Sequence, residues 1–110
     1  MRTHVIKFDT IEFYAKNNAG SRMHFQQWKN KVKQADWNKP ADIIETFPSS
    51  ADLLGGGSNR VVFDISDNYR MIGEYLVGKK TFHLYICWIG THAEYDKVCR
   101  SNRQYDIKVY

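Results

Sequence analysis

The chain has 110 residues, 43% hydrophobic and 15% aromatic, which is enough for one folded core and too few for two. Its 16 Lys and Arg residues outnumber 12 Asp and Glu residues, and the formal net charge of +4 favours an anionic partner such as nucleic acid or an acidic protein. No apolar run approaches the roughly 18 residues that span a bilayer, and residues 1–7 lack the apolar core of a secretion signal. We therefore expect one soluble, cytoplasmic domain over residues 1–110, without a membrane partner.

The cysteines and histidines have no spacing typical of a metal site. Cys87 and Cys99 are predicted to be reduced thiols, with a single disulfide between them as the alternative. His4, His24 and His83 are scattered and form neither an HxH nor an HExxH pattern. The sequence therefore predicts no metal site and no cofactor.

The first third of the chain predicts a strand followed by a helical hairpin. Residues 4–8 form the predicted strand, and Asp9 and Glu12 have the spacing of a capping box for a first helix that ends near Gly20. Ser21 is the predicted N-cap of a second helix, whose apolar stripe comprises Phe25, Trp28, Val32 and Ala35.

Three lysines, Lys29, Lys31 and Lys33, lie around the other side of this second helix. They form either a solvated helix face or part of a basic rim that contacts RNA or an acidic partner. The sequence alone leaves both interpretations open.

A third, short helix is predicted from Pro40 to Phe47, since proline in the first turn loses no needed donor. The glycines 55–57 and Ser58 follow in a predicted loop. This loop lacks the Gly-Lys-Ser/Thr ending of a phosphate-binding P-loop, so it is interpreted as a flexible connection.

From residue 60 the apolar residues alternate, which is typical of strands. Val61, Phe63 and Ile65 fall on one face of the first of these strands. The segments that follow are a turn at 66–68, a strand over 69–76, a turn at 77–80, a central strand over 81–89 and an edge strand within 104–110. The predicted fold class is α+β, with the helices on one face of a mainly antiparallel sheet.

The most informative motif is the run Gly90 to Lys97, directly after the central strand. Thr91 followed by Glu94 is a capping-box pattern, which predicts that a helix begins there with Thr91 as N-cap. His92 and Tyr95 then lie three residues apart on one helix face. The motif thus places side chains capable of proton transfer at the end of a sheet.

Three segments, in this order, are similar to the HigB family of bacterial toxins: residues 60–65, 68–72 and 89–97. The similarity extends from about Trp37, through Ala51 and Asp52, to Lys97. The resemblance implies the small α+β fold of the RelE/ParE superfamily. It also implies translational arrest by mRNA cleavage, usually on the ribosome, and neutralisation by a HigA-type helix-turn-helix antitoxin.

The residues are compatible with metal-independent RNA cleavage. Attack by a 2′-OH on phosphorus needs a base, cations around the phosphorane and an acid for the leaving 5′-oxygen. His92 is the candidate base or acid, because histidine changes charge near neutral pH. Tyr95 is a candidate for base stacking or proton transfer, and Arg70 for bidentate phosphate binding. Arg60, Lys79, Lys80 and Lys97 are candidate contacts to the RNA backbone.

Each candidate also has a purely structural interpretation. The alternatives are a hydrogen bond from His92 to its own loop, pairing of Arg70 with Glu74 or Asp64, and packing of Tyr95 on Trp88. Glu94 and Asp96 are predicted to cap the helix or to orient His92 or Lys97, because an ionised carboxylate repels RNA.

The leading hypothesis is a toxin endoribonuclease that cleaves mRNA, with the ribosome holding the substrate in place. The alternatives are a non-catalytic binding module, such as a ParE-like inhibitor of an essential protein, and a general basic RNA-binding domain. The RNA-binding domain would lose affinity steeply with salt and would cleave nothing.

Overall fold

A five-stranded sheet forms the centre of the molecule, and the computed structural model describes all of residues 1–110 around it. The strands are β1 Arg2–Ile6, β2 Ala51–Leu53, β3 Arg60–Asp64, β4 Tyr69–Val77 and β5 Thr81–Thr91. The α-helices are α1 Phe8–Asn17, α2 Arg22–Gln34, α3 Ala41–Thr46 and α4 His92–Arg100. The strand order is β1-β5-β4-β3-β2, with β1 parallel to β5 and the other pairs antiparallel. The α+β prediction is confirmed.

Helices α1, α2 and α3 cover one face of the sheet, which we call the first face. The predicted stripe of α2 packs there, with Trp28 against the ring of Phe63 at a centroid distance of 5.3 Å. Val61, Phe63 and Ile65 all belong to this core, as their alternation predicts. The aromatic contacts fix the helical hairpin against the strands that carry the candidate site.

The second face of the sheet carries α4 and the C-terminal segment. Tyr95 and Val98 of α4 pack there against a smaller cluster that includes Trp88 and Ile107. The expectation that all helices lie on one face is therefore wrong. The apolar residues of α4 follow directly from β5, and they bury the strand residues that alternate away from the first face.

The N-terminal boundaries differ from those predicted. The first strand covers residues 2–6 instead of 4–8, because Lys7 takes the left-handed conformation (φ 68°) and α1 begins at Phe8. Asp9 therefore lies inside α1 and caps nothing. Ser21 ends a short 3₁₀ turn and donates its hydroxyl to the carbonyl of Asn18 at 2.6 Å, so it does not cap α2 through its side chain.

The C-terminal segment is not the edge strand that its alternation predicts. Residues 103–105 form a 3₁₀ turn, and no strand follows. One strand-like contact remains, from the Val109 N–H to the Cys87 carbonyl at 2.9 Å. Beyond it, the Tyr85 hydroxyl binds the Tyr110 carbonyl. The segment is therefore held by separate hydrogen bonds instead of a continuous strand ladder.

The region predicted as a loop before the glycines contains the short strand β2. It pairs with β3, with Ala51 opposite Phe63. Gly55, Gly56 and Gly57 then all have positive φ, which explains three successive glycines in the connection to β3. Cys87 and Cys99 are free thiols. No helix is long and apolar enough to cross a bilayer.

Candidate functional site

The predicted capping box forms at the start of α4. The Thr91 side chain accepts the Glu94 N–H at 3.2 Å, and Glu94 Oε1 accepts the Thr91 N–H at 2.8 Å. The His92 N–H donates to the Asn68 carbonyl at 2.7 Å, which ties the helix start to the β3–β4 turn. The backbone that carries His92 is therefore fixed from two sides.

The His92 side chain is accessible at this end of the sheet. It is 52% exposed, and its Nε2 lies 3.4 Å from Oδ2 of Asp96, one helical turn later. A carboxylate at this position restricts the orientation of the ring. The geometry gives Asp96 the orienting position predicted for it.

Arg70 lies beside this helix start, because it pairs with Gly90 in the β4–β5 register. Its side chain is only 12% exposed, and its Nε lies 3.0 Å from Asp64 Oδ1. Its Nη1 donates to the Ser66 carbonyl at 2.6 Å and to the Tyr69 carbonyl at 3.0 Å. The structural alternative of an Arg70–Asp64 pair is therefore realised, and Nη2 is the nitrogen outside these contacts.

Tyr95 faces the second cluster instead of open solvent. Its ring lies 6.1 Å from that of Trp88, which realises the predicted packing alternative. Burial raises the pKa of the phenol, with further contributions from Cys99 and from the negative charge of Asp64. Burial therefore favours the neutral phenol, which can donate or accept a hydrogen bond and can also serve as a packing surface.

A close contact at Gly90 sets the position of Trp88. A Cβ on Gly90 would lie 2.4 Å from Cζ2 of Trp88 and 3.1 Å from Glu94 Oε1. Only glycine lets the indole approach the backbone of β5 so closely. The Trp88 ring in turn supports Tyr95 and hence the orientation of α4.

The predicted phosphate contacts do not lie together. Lys97 is exposed on α4, the helix that begins with His92. Lys79 and Lys80 are exposed in the β4–β5 turn, at the opposite end of the hairpin from Arg70. At ~3.3 Å per strand residue, that separation is roughly 25 Å.

The prediction that Arg60 contacts the RNA backbone is wrong, because its side chain lies in the interior and cannot reach RNA. Its side chain is 4% exposed, and its Nε lies 3.3 Å from Glu74 Oε2. Its Nη1 donates to the Ile107 carbonyl at 2.7 Å and to the Gln104 carbonyl at 3.3 Å. Arg60 therefore holds the C-terminal segment on the second face.

Two basic residues near Asp64 were not placed at the site from the sequence, where His24 was considered only for a metal site and Lys31 only for a solvated face or a basic rim. His24 and Lys31 of α2 line a small cavity of about 70 Å³ together with Asp64, the partner of Arg70. Their i, i+7 spacing puts them on one helix face. That spacing could have grouped His24 with Lys31. No local sequence pattern, however, shows that the end of β3, with Asp64, lies beside them.

Comparison with known proteins identifies a family. Residues 21–98 match the model of a family described as HigB toxin, RelE-like toxic component of a toxin-antitoxin system. The match includes α2, the whole β2–β5 meander and most of α4. A search of curated proteins found no match. Because the family match covers well over half of the chain and the α+β fold agrees with it, the chain belongs to the HigB family of RelE-like toxins.

Proposed function

We propose that this toxin is an endoribonuclease that cleaves mRNA during translation in the cytoplasm and is neutralised by a HigA-type helix-turn-helix antitoxin. The observation that carries the proposal is the exposed His92, held at the start of α4 with Asp96 beside its Nε2, in a chain of this family. The proposed reaction uses the 2′-OH of the RNA itself as nucleophile and needs no metal.

His92 is the proposed proton-transfer residue, because its ring is reachable by substrate and faces a carboxylate. Tyr95 remains a neutral phenol and contributes a hydrogen bond or a surface for a base. Arg70 has one guanidinium nitrogen outside its internal contacts. It is therefore proposed to supply positive charge near the phosphate and not to bind it through two parallel hydrogen bonds.

The scarcity of free cations beside His92 supports a role for the ribosome. Lys97 is the nearest of the predicted phosphate contacts along the chain, and His24 and Lys31 are further candidates beside Asp64. A substrate already held in place by the ribosome requires fewer contacts from the toxin. Lys79 and Lys80, at the far end of the sheet, are proposed to contact RNA outside the cleavage site.

The proposal is tested by inducing wild type, His92→Ala and His4→Ala in parallel and mapping transcript 5′ ends. His4 is exposed on β1, away from α4, and serves as the matched control. Wild type and His4→Ala should produce new ends in register with the reading frame, and His92→Ala should reduce them at least about a hundredfold, the usual range for a general acid–base residue. Undiminished cleavage by His92→Ala would remove His92 from the mechanism.

The internal engagement of Arg70 favours a second candidate, a non-catalytic inhibitor of an essential protein. An arginine bound to Asp64 and to three backbone carbonyls is largely occupied by its own fold. In that case induction would arrest growth without new transcript ends. A ParE-like action would also change plasmid supercoiling in the same cells.

A further inference from the structure

The Arg70 guanidinium is held in one orientation by partners at two of its three nitrogens. Its Nε lies 3.0 Å from Asp64 Oδ1, and its Nη1 donates to the Ser66 carbonyl at 2.6 Å and to the Tyr69 carbonyl at 3.0 Å. Because a guanidinium is planar and its N–H groups form a rigid fork, partners at two nitrogens also fix the direction of the third. The fold therefore aims Nη2 in a single direction.

Asp64 is the one side chain among these partners, since the others are backbone carbonyls of the β3–β4 turn. It stands directly opposite Arg70 in the β3–β4 register, and its own N–H donates to the Ser50 carbonyl at 2.8 Å. Glu74, the other partner that the sequence allowed for Arg70, pairs with Arg60 instead. The Asp64 carboxylate therefore holds the guanidinium from a position that is itself fixed.

The turn that binds Arg70 also fixes the start of α4. The His92 N–H donates to the Asn68 carbonyl in this turn at 2.7 Å. Arg70 pairs with Gly90 in the β4–β5 register, and His92 follows two residues later, so the Cα atoms of Arg70 and His92 are roughly 8 Å apart. One turn thus sets the placement of the proposed cation relative to the proposed proton-transfer residue.

A carboxylate this close to an RNA site carries an electrostatic cost. The Asp64 side chain is 41% exposed, so its charge also acts on the phosphates of a bound RNA and repels them. The same charge acts across the second face, where burial, Cys99 and then Asp64 raise the pKa of the Tyr95 phenol. RNA binding by itself would therefore gain from the removal of Asp64. Its benefit has to come from the orientation that it gives to Arg70.

We propose that Asp64 is a positioning residue for RNA cleavage, which holds the Arg70 guanidinium so that Nη2 donates to one non-bridging oxygen of the scissile phosphate beside His92. This inference rests on the proposed endoribonuclease function. Asp64 itself touches neither the RNA nor the reacting atoms. A donor fixed in advance stabilises the charge that develops on the phosphorane without reorganising during the reaction. An arginine free to rotate loses part of that stabilisation.

The test follows cleavage of a defined mRNA in a reconstituted translation mixture. It measures the maximal rate at which new 5′ ends appear and the concentration of mRNA-loaded ribosomes that gives half of that rate. Asp64→Ala removes the carboxylate, Asp64→Asn keeps an oxygen that accepts the Nε–H, and Asp64→Glu keeps the charge but moves it outward by a methylene group. Asp67→Ala is the matched control, because Asp67 is exposed in the same turn and meets Arg70 only through its backbone carbonyl.

Asp64→Ala and Asp64→Glu should lower the maximal rate by about tenfold to a hundredfold, because a misplaced donor stabilises the transition state less. The half-saturating concentration should not rise for Asp64→Ala, since the change removes a charge that repels RNA. Asp64→Asn should stay within about threefold of wild type, because its oxygen still accepts a weaker, uncharged hydrogen bond. Asp67→Ala should match wild type. When Arg70 is already alanine, Asp64→Ala should cause no further loss.

A folded Asp64→Ala variant that cleaves at the wild-type rate overturns the proposal and reduces the Asp64–Arg70 pair to a contact of the fold. Equal losses in Asp64→Asn and Asp64→Ala also overturn it, because they show that the charge itself is required. A further loss in the Arg70→Ala background shows that Asp64 acts without Arg70, which is a third way to refute the proposal. Thermal unfolding checks each variant. If Asp64→Ala does not fold, the comparison of Asp64→Glu with Asp64→Asn decides the question.

Failure of this inference is distinguishable from failure of the proposed function. Wild type that produces no new 5′ ends refutes the endoribonuclease proposal, and the role of Asp64 with it. Cleavage by wild type together with undiminished cleavage by the Asp64 variants refutes only the positioning role and leaves the endoribonuclease standing.

Discussion

Replacing Arg60 with leucine should strongly destabilise the fold without touching the candidate site. Arg60 is the buried cation of the second face, bound to the carbonyls of Ile107 and Gln104 and to the carboxylate of Glu74. Leucine fills part of the space but leaves these acceptors without a donor. The free energy of unfolding should fall, because the C-terminal segment loses its main attachment.

The size of the effect follows from the individual contacts. The Ile107 carbonyl, bound at 2.7 Å in the interior, loses its partner at a cost of about 1–3 kcal/mol. The contacts to Gln104 and Glu74 are longer, at 3.3 Å, and Glu74 is 30% exposed with Lys108 3.8 Å away. We therefore expect a total loss of about 3 kcal/mol, near the lower end of the range for broken buried pairs.

Urea denaturation of wild type and Arg60→Leu measures this loss directly, with Arg103→Leu as the matched control. Arg103 is exposed in the same C-terminal segment, so its replacement should change stability by less than about 0.5 kcal/mol. The reasoning is refuted if Arg60→Leu is as stable as Arg103→Leu. Loss of RNA binding at unchanged stability would restore Arg60 to the RNA-contact set.

Three further predictions concern local packing, a titrating phenol and a helix cap. Gly90→Ala should lower the free energy of unfolding by about 1–3 kcal/mol, because the added Cβ would overlap Trp88. Gly20→Ala is the control, since a Cβ there meets only an ordinary 3.4 Å contact. Equal melting temperatures for the two variants would contradict this prediction. Burial raises the pKa of Tyr14 to about 12, so its contribution to stability is complete below about pH 10 and is lost as the pH rises through 12. Urea midpoints from pH 9 to 12 should therefore fall less steeply for Tyr14→Phe, and parallel profiles would exclude Tyr14 as the cause. Thr91→Ala should lower stability by about 1 kcal/mol through loss of the N-cap, seen as an earlier circular-dichroism melt, and an unchanged melt would show that the cap contributes nothing.

Local sequence patterns predicted the structure correctly where the conformation of a segment depends on its own residues. The stripe of α2, the alternation of β3 and the capping box at Thr91 depend on residues close in sequence, and all three were predicted correctly. The strand β2 was missed because three residues between serines and glycines carry too little alternation to stand out. Its existence depends on pairing with β3.

The candidate site was harder to predict because distant residues compete for its charges. Arg60 and Arg70 look alike in sequence, each near the start of a strand, yet Arg60 binds backbone brought from residues 104–107. Lys79 and Lys80 are close to the motif in sequence number, but the length of β5 carries them to the opposite end of the sheet. Separation along the sequence therefore did not indicate how far apart these residues lie in the folded protein.

The parallel pairing of β1 with β5 has a consequence for the order in which the toxin becomes active. Arg2 finds its partner only when Thr81 has been made, and His92 follows still later. Because contacts between residues so distant in sequence form slowly, β1 stays unpaired until β5 has been made. A ribosome translating this message therefore carries a nascent chain in which β1 is still unpaired and α4 is absent. The sheet and the start of α4 are consequently completed together, when the last strand joins the first.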